Sequence, residues 1–126
     1  MRRSSWAGVG VFALAMVGMG TAASGACLTA NAEGVEVTGV IDTLRGGLKA
    51  LILRPSVPVC LSGPDQQDNV AETDAVHVYA ASDVVMGQLM SAIRTPVHLK
   101  GRLFPPSNRL HKAPIVMEVS EVLPGL

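Results

Sequence analysis

The chain has 126 residues, with ten Lys and Arg balancing ten Asp and Glu, 48% hydrophobic residues and only 3% aromatic residues. That balance excludes the global basic field that draws nucleic acid or anionic lipid. Once an export signal is removed, the remaining length makes one ordinary domain.

Arg2 and Arg3 form a basic head, followed by the uncharged apolar run WAGVGVFALAMVGM and the small residues GTAASGA. A positive head, an apolar core and a small-residue zone predict a secretory signal peptide over 1–26 and a domain over 27–126. Cleavage after Ala26 puts Ser24 and Ala26 at the small-residue sites, with Ala23 and Ala32 as alternatives. The apolar run is short for a span of ~20 residues, so no stable membrane span is expected after cleavage. The predicted location is periplasmic or secreted. Cys27 at the junction raises a second reading, an envelope lipoprotein anchored there, although Ser24 stands where that reading wants an aliphatic residue.

Removing Arg2 and Arg3 leaves eight bases and ten acids, 8 − 10 = −2. The charges are unevenly spread. Between Pro55 and Ile93 lie Asp65, Asp68, Glu72, Asp74 and Asp83 without a base. Between Arg94 and Met117 lie Arg94, Lys100, Arg102, Arg109 and Lys112 without an acid. Two such blocks predict two solvated faces that attract each other within one fold.

Cys27 and Cys60 are the two cysteines, and export places them where disulfides persist. A bridge would enclose a loop of about 34 residues, worth roughly 3.8 kcal/mol in the chain-entropy model. Lipidation of Cys27 would exclude it.

In chain order, Val35 to Leu44 alternates as a half-buried strand, and Gly46-Gly47 marks a turn. Lys49 to Leu61 reads as a second strand that Pro55 and Pro58 must bend. Ser62 to Asp74 reads as a polar loop and Ala75 to Ala80 as a short strand. The period then changes. Ser82 suits a helix cap, Val85, Leu89 and Ile93 recur every four residues, and Met86 and Met90 widen that stripe as core filler. Pro96 stops the helix. Pro96 to Phe104 alternates, with Val97, Leu99 and Leu103 facing one way and His98, Lys100 and Arg102 the other. Ala113 to Leu123 is the last strand, with Ile115, Met117 and Val119 on one face.

Val35 to Ile41 and Val97 to Leu103 share the pattern V-x-[VL]-x-G-x-[IL], with Gly39 and Gly101 at the same phase. Glycine inside a strand marks a bulge or sharp bend, which a small coiled barrel needs in order to close. The predicted fold is therefore mainly β, a five-stranded OB-fold-like Greek-key barrel with one helix between strands 3 and 4.

Cys27 after the signal, VEVTGVI, PVCL around Cys60, VHLKGRLF and HKAPIVMEV look like a family of small exported bacterial proteins with an OB-fold-like domain of unknown function. The resemblance spans nearly the whole mature chain. It implies the paired cysteines and a histidine-rich turn before a proline-led last strand. His111 and Pro114 match that turn, whereas Leu110 and Lys112 stand where further histidines belong. The family brings no established activity.

The mature chain holds only Tyr79 and Phe104 as aromatic residues, too few for the stacking that single-stranded nucleic acid needs. No HExxH, GxSxG or Gly-rich phosphate loop is present, so no catalytic residue and no cofactor is named. The expected function is a non-catalytic binding module for a small anionic ligand or an acidic protein. Its contact surface is the loop Pro105 to Lys112, with Lys100, Arg102, Arg109, His111 and Lys112 as the binding residues. The alternative is a small metal-binding protein using His77, His98 and His111.

Overall fold

The computed structural model describes residues 27–43, 50–107 and 111–124. The expected signal peptide over 1–26, the expected turn at Gly46-Gly47 and Arg109 lie outside the described residues. The elements are β1 (Leu28–Thr29), β2 (Val35–Thr43), β3 (Leu51–Pro55), β4 (Val59–Ser62), β5 (Val70–Thr73), β6 (Val76–Tyr79), helix α1 (Asp83–Ser91), β7 (Pro96–Phe104) and β8 (Ile115–Leu123). A short 3-10 turn, Gln66–Asp68, precedes β5.

Five strands close a barrel in the order β2-β3-β6-β8-β7, and β7 pairs back onto β2. Neighbours are antiparallel except β6 and β8, which run parallel. The protein is thus mainly β, with a closed five-stranded barrel and one α-helix. Alternation along each long strand sends one set of side chains inward. Val37, Ile41, Leu53, Leu99, Leu103 and Met117 belong to that buried core.

Closure depends on two close approaches. A Cβ on Gly39 would collide with the Arg54 carbonyl and Pro55, and one on Gly101 with the Glu118 carbonyl and Val119. The ladder between β7 and β8 slips its register between Lys100 and Gly101, a bulge that bends β7 around the barrel. Both glycines stand at contacts that no other residue fits.

The chain carries more strands than the sequence predicts. β1, β4 and β5 form a separate sheet in that order, so α1 follows the sixth strand rather than the third. The expected strand over Lys49 to Leu61 is two strands in two sheets. Pro55 ends β3 opposite Gly39, and the Ser56 N–H donates to the Thr38 carbonyl (2.9 Å) as the chain turns away. Pro58, which has no N–H for a ladder, occupies that turn. The expected loop Ser62 to Asp74 contains β5, because β4 offers it a partner with Leu61 opposite Val70.

The second sheet is fastened at several points. Cys27 and Cys60 form a disulfide with their Cα atoms 4.7 Å apart. A Cys27 sulfur held in this bridge is not available to a lipid thioether. The Ala30 N–H donates to the Ser62 carbonyl (2.8 Å), and the Asn31 N–H reaches the Leu103 carbonyl of the barrel (2.7 Å).

Ser82 caps α1, its hydroxyl accepting from the Val85 N–H at 3.3 Å. Leu89 is fully buried in the core, and Val85, Met86 and Ile93 pack against it. Met90 does not fill the core as expected; it is 49% exposed, on the helix flank away from Leu89. The helix ends at Ser91, ahead of Pro96. Arg94 takes a positive φ of 67° and gives its N–H to the Ile41 carbonyl, which sets the entry into β7.

Candidate functional site

The outward side chains of three adjacent barrel strands stand in rows. Phe104 on β7 lies opposite Val116 on β8, which lies opposite His77 on β6. One step along, Arg102 lies opposite Glu118, which lies opposite Tyr79. Of the segment between β7 and β8, His111 lies against these rows.

The four rings form one cluster. His111 stacks on Tyr79 with centroids 6.4 Å apart and planes 18° apart. It meets His77 and Phe104 edge-on, each at 5.9 Å. The Arg102 guanidinium lies 4.7 Å from the Phe104 centroid, a cation–π contact. Val116 faces outward by alternation between the core residues Ile115 and Met117, yet it is 0% exposed. The rings stand over it, a small apolar cluster outside the barrel.

Two imidazoles fasten the loop. The Ser107 N–H donates to Nδ1 of His111 (2.9 Å), and the Lys112 N–H donates to Nδ1 of His77 (3.1 Å). A nitrogen that accepts from a backbone N–H carries no proton of its own, so each neutral ring holds its proton on Nε2. Among the described residues, neither Nε2 has a hydrogen-bond partner. Both rings therefore present N–H donors. Burial first, then the nearby His111 and Lys112 charges, holds the His77 pKa below its ordinary 6.5. Burial, and then the Glu118 carboxylate, raises the Tyr79 pKa above 10.0, with Arg102 opposing.

The expected binding residues divide in this geometry. His111 and Lys112 sit at the ring cluster, and Arg102 borders it. Lys100 faces outward as predicted, but its ammonium lies 3.7 Å from Glu121. Arg102 bonds Glu118 at 3.1 Å and stands 3.8 Å from Glu33. His98 bonds Glu36 at 2.7 Å. Lys100 and Arg102 of β7 thus meet carboxylates from β8 and the segment before β2, not the acidic block over 65–83. The predicted attraction between the two blocks does not account for their pairing; Arg54 and Asp74, at 4.0 Å, form a separate exposed pair.

Among the described residues the three histidines of the metal alternative do not form one cluster. His77 and His111 meet, but His98 is engaged with Glu36. Among the described residues, no three of His, Cys, Asp and Glu gather as a ligand set. Metal at Nε2 of either paired ring would also oppose its Nδ1 bond, since a metal-bound neutral imidazole carries its proton on Nδ1.

Sequence reasoning missed the convergence of Tyr79 and Phe104 with the two histidines. Alternation already placed His77 and Tyr79 on one face of their strand; the missing information was which strands are neighbours. Beside the cluster, Glu33, Ala81, Ser82, Glu118, Val119 and Ser120 line a shallow depression of about 240 Å³. No helix among the described residues is long and apolar enough to cross a membrane. Comparison with protein-family models, curated protein sequences and solved structures finds no match to this chain.

Proposed function

We propose that the protein is an exported, non-catalytic binding module on an OB-fold-like Greek-key barrel. It takes an acidic protein segment or a small anionic ligand at the ring cluster under the loop before the last strand. The strand order, with a helix between the third and fourth barrel strands, supports the OB-like reading. OB barrels commonly meet ligands on one face flanked by this loop. The basic and apolar start of the chain and the disulfide support export.

One observation carries the binding reading. His77 and His111 both spend Nδ1 on the loop backbone, which leaves each neutral ring an Nε2–H donor next to Phe104 and Tyr79. These two imidazole N–H groups suit a carboxylate or phosphate oxygen. Arg102 is already committed to Glu118 and serves the cluster as a border and a ring contact.

The test is a two-dimensional NMR titration of the mature protein at pH 7.5, with a glutamate-rich peptide in one arm and inorganic phosphate in the other. Shifts should concentrate at His77, Tyr79, Phe104 and 111–112. The double variant Arg109→Glu, Lys112→Glu should lose them with its thermal midpoint nearly unchanged. Shifts that fall elsewhere on the barrel, or none in either arm, refute the site.

A further inference from the structure

The loop between β7 and β8 is tied down in a way that depends on protonation. Ordinary loops are fixed by carbonyl acceptors, which do not titrate near neutral pH. Here two backbone N–H groups, those of Ser107 and Lys112, end on imidazole nitrogens. An imidazolium has a proton on both nitrogens and accepts from neither. Each bond therefore exists only while its ring is neutral.

We infer that His77 is a proton-operated latch: protonation of its ring breaks the Lys112 N–H bond and releases the loop over 111–114 from the outer barrel face, uncovering Val116, Phe104 and Tyr79. The inference rests on the proposed binding surface only for what the opening exposes; the latch itself is a property of the loop.

The surroundings of His77 favour release once the proton is on. From the loop, His111 and Lys112 face it, one a second imidazole and the other a cation. From its own strand comes Tyr79, at 6.4 Å between ring centroids. Across β8 stand Val116 and, one row on, Glu118, whose carboxylate is taken up by Arg102. On the other side β3 offers Ile52, buried, and beyond it β2 offers Asp42, which accepts from the Thr43 N–H. No carboxylate among these is bonded to the His77 ring. The direction of the His77 pKa agrees, since burial and the neighbouring charges disfavour its charged form.

The experiment uses the mature protein without ligand. Amide hydrogen exchange of Lys112, corrected for intrinsic pH dependence, is followed from pH 7.5 to pH 5, with long-range nitrogen–proton spectra reporting the His77 tautomer. The Nε2–H tautomer should dominate at pH 7.5. Lys112 protection should fall about 5-fold as the ring protonates, the equilibrium weight of one hydrogen bond. His77→Phe keeps a ring but no acceptor, and should give low protection at every pH. His77→Asn offers an amide oxygen where Nδ1 stands and does not titrate; it should hold Lys112 protected down to pH 5.

Corrected protection of Lys112 that stays constant across this range in the parent protein overturns the latch. So does the same pH dependence in His77→Asn as in the parent. Repeating the glutamate-peptide titration at both pH values separates the two ideas. A protein whose loop opens with pH but which never binds the peptide keeps the latch and loses the proposed ligand class.

Discussion

Removing the disulfide should cost a large share of the protein's stability. Cys27 and Cys60 are separated by 33 positions. In the chain-entropy model, releasing a closed loop of that size returns about 3.8 kcal/mol of freedom to the unfolded chain. The folded state has little to offset this, because β1 is only a two-residue strand and its sheet contributes few residues to the core. At about 4–8 °C per kcal/mol for a domain of this size, the double variant Cys27→Ala, Cys60→Ala should melt roughly 15–30 °C lower. Alanine is the right replacement, because Cys60 is buried and serine would add an unpaired hydroxyl there. Urea unfolding is the assay, with the m-value as an internal control: a less restrained unfolded chain exposes more surface, so m should rise as the midpoint falls. A variant that keeps its fold and loses less than about 1 kcal/mol would refute the reasoning, placing the bridge's effect somewhere other than the unfolded ensemble.

Two glycine substitutions should move stability in opposite directions. Gly101→Ala puts a methyl against the Glu118 carbonyl and should cost about 3 kcal/mol by chemical denaturation, whereas Gly87→Ala, with nothing near its Cβ, should gain about 0.5–1 kcal/mol. Val116→Ala should cost about 2 kcal/mol although its side chain points away from the barrel interior, because it is fully buried; a loss below about 0.5 kcal/mol would mean that the ring cluster does not seal it. Stability should also fall below pH 6.5 through His77. Its folded pKa lies below the 6.5 of the unfolded chain, so the unfolded form binds the proton more readily. The contribution is whole above 6.5 and is lost as pH drops toward the folded value. Urea midpoints at pH 7.5 and 5.5 should differ more for the parent protein than for His77→Phe.

Local pattern carried much of the fold. The alternation from Val97 to Leu103, the Ser82 cap and the paired Gly39 and Gly101 each have a physical cause within a few residues, and each led to the element or contact that the structure contains. β1 and β5 were not legible. Neither is apolar or long enough to announce itself, and both exist only because β4 supplies a ladder after Pro55 and Pro58 redirect the chain. The site was half legible for the same reason. His111 and Lys112 lie in the loop that the charge pattern singled out, but their partner His77 is 35 positions from Lys112 and becomes a neighbour only through the pairing of β6 with β8. The carboxylates that meet Lys100 and Arg102 likewise come from strands brought alongside by register, which charge counting along the chain does not contain.

A cylinder closed by the pairing of β7 with β2 offers a visitor no loose hem. Among the described residues, the unpaired flanks belong to β1 and β5 at the two ends of the small sheet. The first is too short to hold a guest strand. The second, Val70–Thr73, has Ala71 and Glu72 exposed, and the glutamate sets a charge on any incoming backbone's path. Among the described strands, a second copy joining by strand addition would meet β5 and leave the barrel of each untouched.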